Sequence, residues 1–290
     1  MLTVLVGLVS AVIFGTADFF GGLASRRIGS VLATPVAALS GLVLYFGIEA
    51  FLGGRLSAEA VGYGVLSGVF GAIAIGLLYA CLAIGPMSIL SPLTAVVSAI
   101  VPLVWALVGG ETVRWTGWIG LVLGLVAIVF VAFVREREAV RLTTRALLMA
   151  LGSGTAIGAF LIVIDLAPDD SGLWPMIMNR SVNAAIMLLV FAGVAIVRRA
   201  RGGPGARRSG SDWRRGLWLA TICGLIDATA NAGLLLGVRI GDLSVMAVLT
   251  ALYPIGTVIL ARFVLKERIA PLQIVGLVLA IAASVLLALA

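Results

Sequence analysis

Ile240–Leu279 reads IGDLSVMAVLTALYPIGTVILARFVLKERIAPLQIVGLVL, two apolar runs joined by the charged turn Lys266-Glu267-Arg268. The same pattern stands 156 positions earlier, at Ile84–Leu123: IGPMSILSPLTAVVSAIVPLVWALVGGETVRWTGWIGLVL. The two align without a gap. Identities include Ile84/Ile240, Gly85/Gly241, Ser88/Ser244, Leu93-Thr94-Ala95/Leu249-Thr250-Ala251, Glu111/Glu267 and Gly120–Leu123/Gly276–Leu279. Apolar helices draw on few residue types and can match by chance. A shared Glu in the turn and a constant offset point instead to an internal duplication.

The rest of the chain is of one kind with this stretch. It is 62% hydrophobic and 11% charged, with no His, where a soluble domain carries about 25% charged residues. Many glycines and few charges suit membrane helices whose backbones approach closely. Ten runs are long enough to cross a bilayer, about 20 residues each: 2–24, 31–52, 60–84, 87–109, 115–134, 146–166, 173–197, 215–238, 243–265 and 271–290. The first lacks a basic start and contains an acid, so it reads as a span and not as a cleaved leader. The long connections are 135–145 and the Gly/Arg-rich 198–215. The first divides the chain into a five-helix repeat, 1–134, and a second, 146–290, and the other is a basic cytoplasmic loop inside the second repeat.

The expected fold is an all-α membrane protein of ten transmembrane helices in two inverted five-helix repeats. Inversion follows from the odd number: span six starts from the side where span one ends. Such halves can exchange conformations, which is a physical basis for alternating access. Fifteen Lys and Arg fall on connections 1–2, 3–4, 5–6, 7–8 and 9–10, against three (Arg55, Arg114, Arg239) on the other side. The positive-inside rule makes the basic side cytoplasmic and puts both termini outside the cell membrane. The basic residues are therefore topology signals, not a nucleic-acid surface.

The paired segments, each with its Glu-containing turn, resemble the drug/metabolite transporter superfamily, in the ten-span form with two EamA repeats. Pro175 and Arg180 resemble the second helix of the repeat, as does Pro35 in the first half, although Ser40 stands where Arg180 would. Phe14–Arg27 (FGTADFFGGLASRR) is similar to the first helix, with Asp18 as a departure. The resemblance implies a secondary transporter and leaves the substrate open. It also implies cytoplasmic termini. The charge count says otherwise and is followed here.

A charge in hydrocarbon costs roughly 2.5 to 3.5 kcal/mol and needs a reason. Asp18 in span one is read either as a carboxylate for protons or a substrate cation, or as a partner of Arg26 or Arg27. Asp227, the deepest acid, has Asn231 one turn later. Arg180 in span seven has Asn183 on nearly the same face and Asn179 beside it. Arg180 can hold an anionic group of a substrate in its fork, or neutralise Asp227 or Asp18. Tyr79, Trp105 and Tyr253 are candidate aromatic walls, with lipid contact or packing as the alternative. Pro92, Pro102 and Pro254 are expected to interrupt and kink spans four and nine. Glu49, Asp165 and Arg262 are expected to snorkel from span ends. Trp115, Trp118, Trp174, Trp213 and Trp218 suit the interfacial belt. Cys81 and Cys223 read as helix filling.

No Walker motif, metal spacing or nucleophile elbow is visible, so no ATP motor, metal, cofactor or enzyme chemistry is expected. The expected partners are a small-molecule substrate, the lipid bilayer and protons, with the chain a monomer or homodimer. The expected function is efflux by alternating access. The alternatives are an uncoupled facilitator, or a non-transporting membrane scaffold or receptor.

Overall fold

The computed structural model describes residues 2–84, 87–131, 143–200, 210–264 and 270–289, apart from some side chains within them. Long apolar runs without backbone partners in lipid must satisfy their own amides, so they become helices. In the first half these are α1 (Leu2–Ile28), α2 (Ser30–Leu52), α3 (Ala58–Ile84), α4 (Met87–Val108) and α5 (Trp115–Val131). In the second they are α6 (Thr144–Asp165), α7 (Trp174–Ala200), α8 (Gly210–Ile240), α9 (Leu243–Thr250), α10 (Pro254–Val264) and α11 (Pro271–Ala288). Together α9 and α10 make the ninth pass.

The duplication carries through to the helix bounds. Adding 156 to the ends of α4 gives 243 and 264, where α9 begins and α10 ends. Adding it to the start of α5 gives 271, the first residue of α11. The one break in this correspondence is local. Pro254 stands where the first half has Ser98, and a proline lacks the N–H that continues a helix. The Thr250 carbonyl accepts instead from Tyr253 N at 3.1 Å, in a tight turn, and α10 restarts at Pro254. The expected interruption of span four does not occur: α4 runs unbroken from Met87 to Val108 through Pro92 and Pro102.

Close approaches fix the helix directions. A Cβ on Gly120, early in α5, would come within 3.1 Å of the Ala283 carbonyl, late in α11. A Cβ on Gly276, early in α11, would meet Val131 N, at the end of α5, at 2.6 Å. These equivalent helices therefore run antiparallel, as inverted halves require. In the same way α1 lies antiparallel to α8, with Gly21 on Cys223 and Arg27 on Gly216. Its counterpart α6 packs on α3, where Ser153 Oγ donates to the Ala74 carbonyl at 2.8 Å.

The two ends of the bundle are built differently. The connections 2–3, 4–5, 6–7 and 8–9 lie at one end, called here the acidic end for Glu111, Asp165, Asp169, Asp170 and Asp242. One buried apolar cluster closes it, drawing Tyr45, Ala106, Ile164, Met176, Leu235 and Met246 from α2, α4, α6, α7, α8 and α9. Polar ties reinforce it. Arg239 Nη2 donates to the Pro168 carbonyl at 3.1 Å and to Ser171 Oγ at 2.9 Å. Glu49 does not snorkel as expected. It is 6% exposed and accepts from Leu173 N at 2.6 Å and Gly54 N at 2.7 Å. Two amides at the entry to α7 and the exit from α2 need an acceptor there, and the carboxylate supplies both. Gly172, at φ 56°, passes so close to Glu49 that a Cβ would lie 2.6 Å from Oε2.

At the other, basic end the described residues form two separate clusters. Ala24, Ile28, Ala33 and Ala220 join α1, α2 and α8. Cys81, Leu90, Ala146 and Ala150 join α3, α4 and α6. A further cluster of α1, α4, α5, α9 and α11 lies to one side. Trp115, Trp118, Trp213 and Trp218 are exposed near span ends, while Trp174 packs edge-on against Phe46 and donates to the Gly54 carbonyl. The side chain of Arg262 lies outside the described residues.

Candidate functional site

Arg180 stands two turns into α7 and Asp227 near the middle of α8. Their helices bring the guanidinium Nη2 onto Asp227 Oδ2, with the side chains 14% and 26% exposed. An isolated charge at this depth would be costly, and pairing offsets that cost. The Tyr45 hydroxyl, wholly buried on α2, lies beside the same guanidinium without a hydrogen bond of its own among the described residues.

A cavity of about 290 Å³ opens against this pair. Asp18 of α1, Gly71 of α3 and Ser98 of α4 come from the first half. Phe160 of α6, Asn183 of α7, Asn231 of α8 and Thr250 of α9 come from the second. The α9–α10 turn contributes Ala251 and Tyr253, so the break in the ninth pass faces the hollow. Seven residues singled out in the sequence thus line one space: Asp18, Asn179, Arg180, Asn183, Asp227, Asn231 and Tyr253.

Asp18 differs from Asp227. Its side chain is exposed, and that exposure is to the cavity. Among the described residues it makes no ion pair or hydrogen bond. Arg27, one partner considered for it, pairs with Asp212 at 2.8 Å. Arg26, the other, has its side chain outside the described residues.

Two aromatic candidates fall away from the cavity or from view. Trp105 is 50% exposed on the outer face of α4 and is not among the lining residues. At that level α4 turns the small Ala106 into the apolar seal and Trp105 away from it. The side chain of Tyr79 lies outside the described residues. Cys81 Sγ donates to the Leu78 carbonyl at 3.1 Å, and Cys223 lies near Asp18.

Sequence reasoning passed over Tyr45, Ser98, Thr250, Phe14 and Phe160. Thr250 carried a signal, since it and Thr94 are identical between the repeats. Thr250 faces the cavity, while Thr94 is buried and bonds to the Ala150 carbonyl of α6 at 3.3 Å. Tyr45 carried none, because a tyrosine in an apolar run looks like packing.

Glu111 holds the rim of the acidic end. Its Oε1 accepts from Ser244 Oγ at the start of α9. Burial raises its carboxyl above the ordinary range, with the Ser244 bond acting downward and the nearby Asp242 upward. The partner residues of the repeat, Glu267 and Ser88, lie outside the described side chains.

No curated protein matches the sequence. Among solved structures, one described only as the crystal structure of a protein is similar over 99% of this chain and 96% of its own, with a TM-score of 0.73 and 15% identity. That likeness is one of fold. The model of the EamA-like transporter family matches residues 1–133 and 144–289, one repeat each. The duplicated segments, the antiparallel α5 and α11, and a polar hollow lined from both halves agree with that match, and the chain belongs to the EamA-like transporter family.

Proposed function

We propose that this membrane transporter is a secondary exporter of the cell membrane. It moves a small organic compound by alternating access of its two inverted halves, in exchange for protons carried by Asp18. The observation that supports this most is the central cavity with a carboxylate, Asp18, that has no cation partner among the described residues. A carboxylate without a cation inside a bundle is costly, so it is expected to hold a proton when no solute is present. Asp227 is the poorer carrier, because Arg180 already neutralises it. Tyr253, Asn183 and Asn231 would contact the solute, while Trp105 has no part.

Orientation follows the charge count, with both termini outside and the basic end in the cytoplasm. The sealed acidic end then faces outward, and the described state is loaded from within. Protons entering down their own concentration gradient would drive the solute out. The division into repeats 1–134 and 146–290, joined by 135–145, remains part of this reading.

The test is flux in proteoliposomes. Asp18→Asn is expected to lose pH-gradient-driven flux at least about 100-fold. Unchanged driven flux in Asp18→Asn would remove the coupling role. Exchange that ignores any imposed gradient in the parent protein would favour an uncoupled facilitator. A tag at residue 290 that is reached only after the cells are opened would reverse the orientation.

A further inference from the structure

From the chemistry of the cavity wall, we propose that the transported solute is a monovalent organic ammonium ion, a protonated amine on an apolar or aromatic body. This rests on the transporter reading above and names its substrate class.

The first ground is charge. Among the described lining residues the acidic and basic side chains are Asp18, Arg180 and Asp227. Arg180 and Asp227 cancel as a pair. One negative charge appears on Asp18 when it gives up its proton, and only a cation balances it. An anionic solute would displace no proton and find the only guanidinium in the described wall engaged. A zwitterion fares little better. To hold its carboxylate, Arg180 would have to leave Asp227, and a buried carboxylate would be stranded. A single positive charge balances the wall with no rearrangement.

The second ground is independent of charge and concerns where the donors point. Ser98 Oγ donates to the Ala95 carbonyl at 2.8 Å, and Thr250 Oγ1 to the Met246 carbonyl at 2.7 Å. Each hydroxyl has a single proton, so both present only lone pairs to the hollow. Asn179 Nδ2 is tied to Ser67 Oγ at 3.0 Å, and Asn231 Nδ2 to the Asp227 carbonyl at 2.9 Å. Each amide keeps its oxygen as an acceptor and one N–H. With the two hydroxyls and the Asp18 carboxylate the wall offers more acceptors than donors, and a solute that brings N–H donors satisfies it. A quaternary ammonium would balance the charge and leave those acceptors bare. Phe14, Phe160 and Tyr253 line the hollow and supply aromatic surface for the cation and its apolar body. At about 290 Å³ the hollow is at the small end for ligand sites.

The exchange balances by itself. The Asp18 carboxyl releases one proton as one ammonium binds, and the bound wall is neutral in both states.

The experiment uses the purified full chain and three probes with one phenyl body: 2-phenylethylamine, 3-phenylpropanoate and phenylalanine. Binding is read in lightly buffered detergent solution as proton release, and flux in proteoliposomes with and without a pH gradient. The expected result is about one proton released per amine bound, amine flux driven by an opposing proton gradient, and at least tenfold weaker flux of the other two. Asp18→Asn should bind without releasing a proton and lose amine flux about 100-fold, and Asp18→Glu should restore part of both. Melting temperatures of the two variants separate loss of function from loss of fold. Preferred flux of the zwitterion or the anion would overturn the substrate class and leave the transporter reading standing. Amine binding and proton release with no flux of any probe would uphold the class and overturn the transporter reading. Amine flux that survives in folded Asp18→Asn would overturn the role given to Asp18 here.

Discussion

The acidic and basic ends of the bundle come from the same duplicated unit, yet their described residues pack differently. At the acidic end one apolar cluster ties six helices, and Glu49, Arg239 and the Glu111–Ser244 bond add polar ties. At the basic end the described residues form two clusters, one on α1, α2 and α8 and one on α3, α4 and α6. Two inverted copies of one unit would give two alike ends if both were closed together. Among the described residues the seal is at the acidic end, which is what the proposed alternating access expects of one of its two states.

The largest effect should come from the ion pair between the two ends. Arg180→Met leaves Asp227 buried and unpaired, which costs about 3 to 5 kcal/mol, whereas removing both charges is close to neutral. The double variant Arg180→Met/Asp227→Leu is therefore expected to melt near the parent while the single variant does not. Equal destabilisation of both would mean that the pair tethers the ends and does more than neutralise charge.

Next in size is the seal's own carboxylate. Glu49→Ala strands two amides, and each buried unmet group costs about 1 to 3 kcal/mol. A melting shift in Glu49→Ala, half recovered in Glu49→Gln because an amide oxygen can still accept, would show that the acidic end is held by this acceptor. No shift would mean that the apolar cluster suffices.

Accessibility tests the inequality directly. With Cys81 and Cys223 replaced by alanine, a single cysteine at Val238 in the seal should react at least about tenfold more slowly with an impermeant maleimide than one at Leu78 on the cavity wall. A difference of that size corresponds to about 1.4 kcal/mol in opening. Equal rates would mean that the two ends open alike.

The sequence made the fold legible because its strongest signals are long and repeated. Apolar runs state the number of passes, the constant offset between Glu111 and Glu267 states the duplication, and the odd number of passes in each copy states the inversion. The site was legible where a charge broke an apolar run, as with Asp18, Arg180 and Asp227. It was opaque where function rests on ordinary residues. Trp105 looks like a cavity wall in one dimension, but the outward turn of α4 depends on its neighbours' packing. Glu49 looks like a snorkelling end residue, and only the fold brings the Leu173 amide to it. Pro102 and Pro254 carry the same local rule, yet only the second ends a helix.

The smallest effect is also the most specific to the sealed end. Burial holds the Glu111 carboxyl above the ordinary glutamate value of 4.5. A raised acid binds its proton more tightly in the sealed state than in an open one. The seal is therefore at full strength below the ordinary value and weakens as pH rises through the raised one. Glu111→Gln mimics the protonated form and should flatten that dependence, read as melting temperature against pH from about 4 upward. Ser244→Ala gives the sharper check. Its hydroxyl stabilises the charged carboxylate, so its loss should move the weakening to still higher pH. A purely structural contact would lower the melting temperature equally at every pH, and that outcome would remove Glu111 from any account of why the two ends differ.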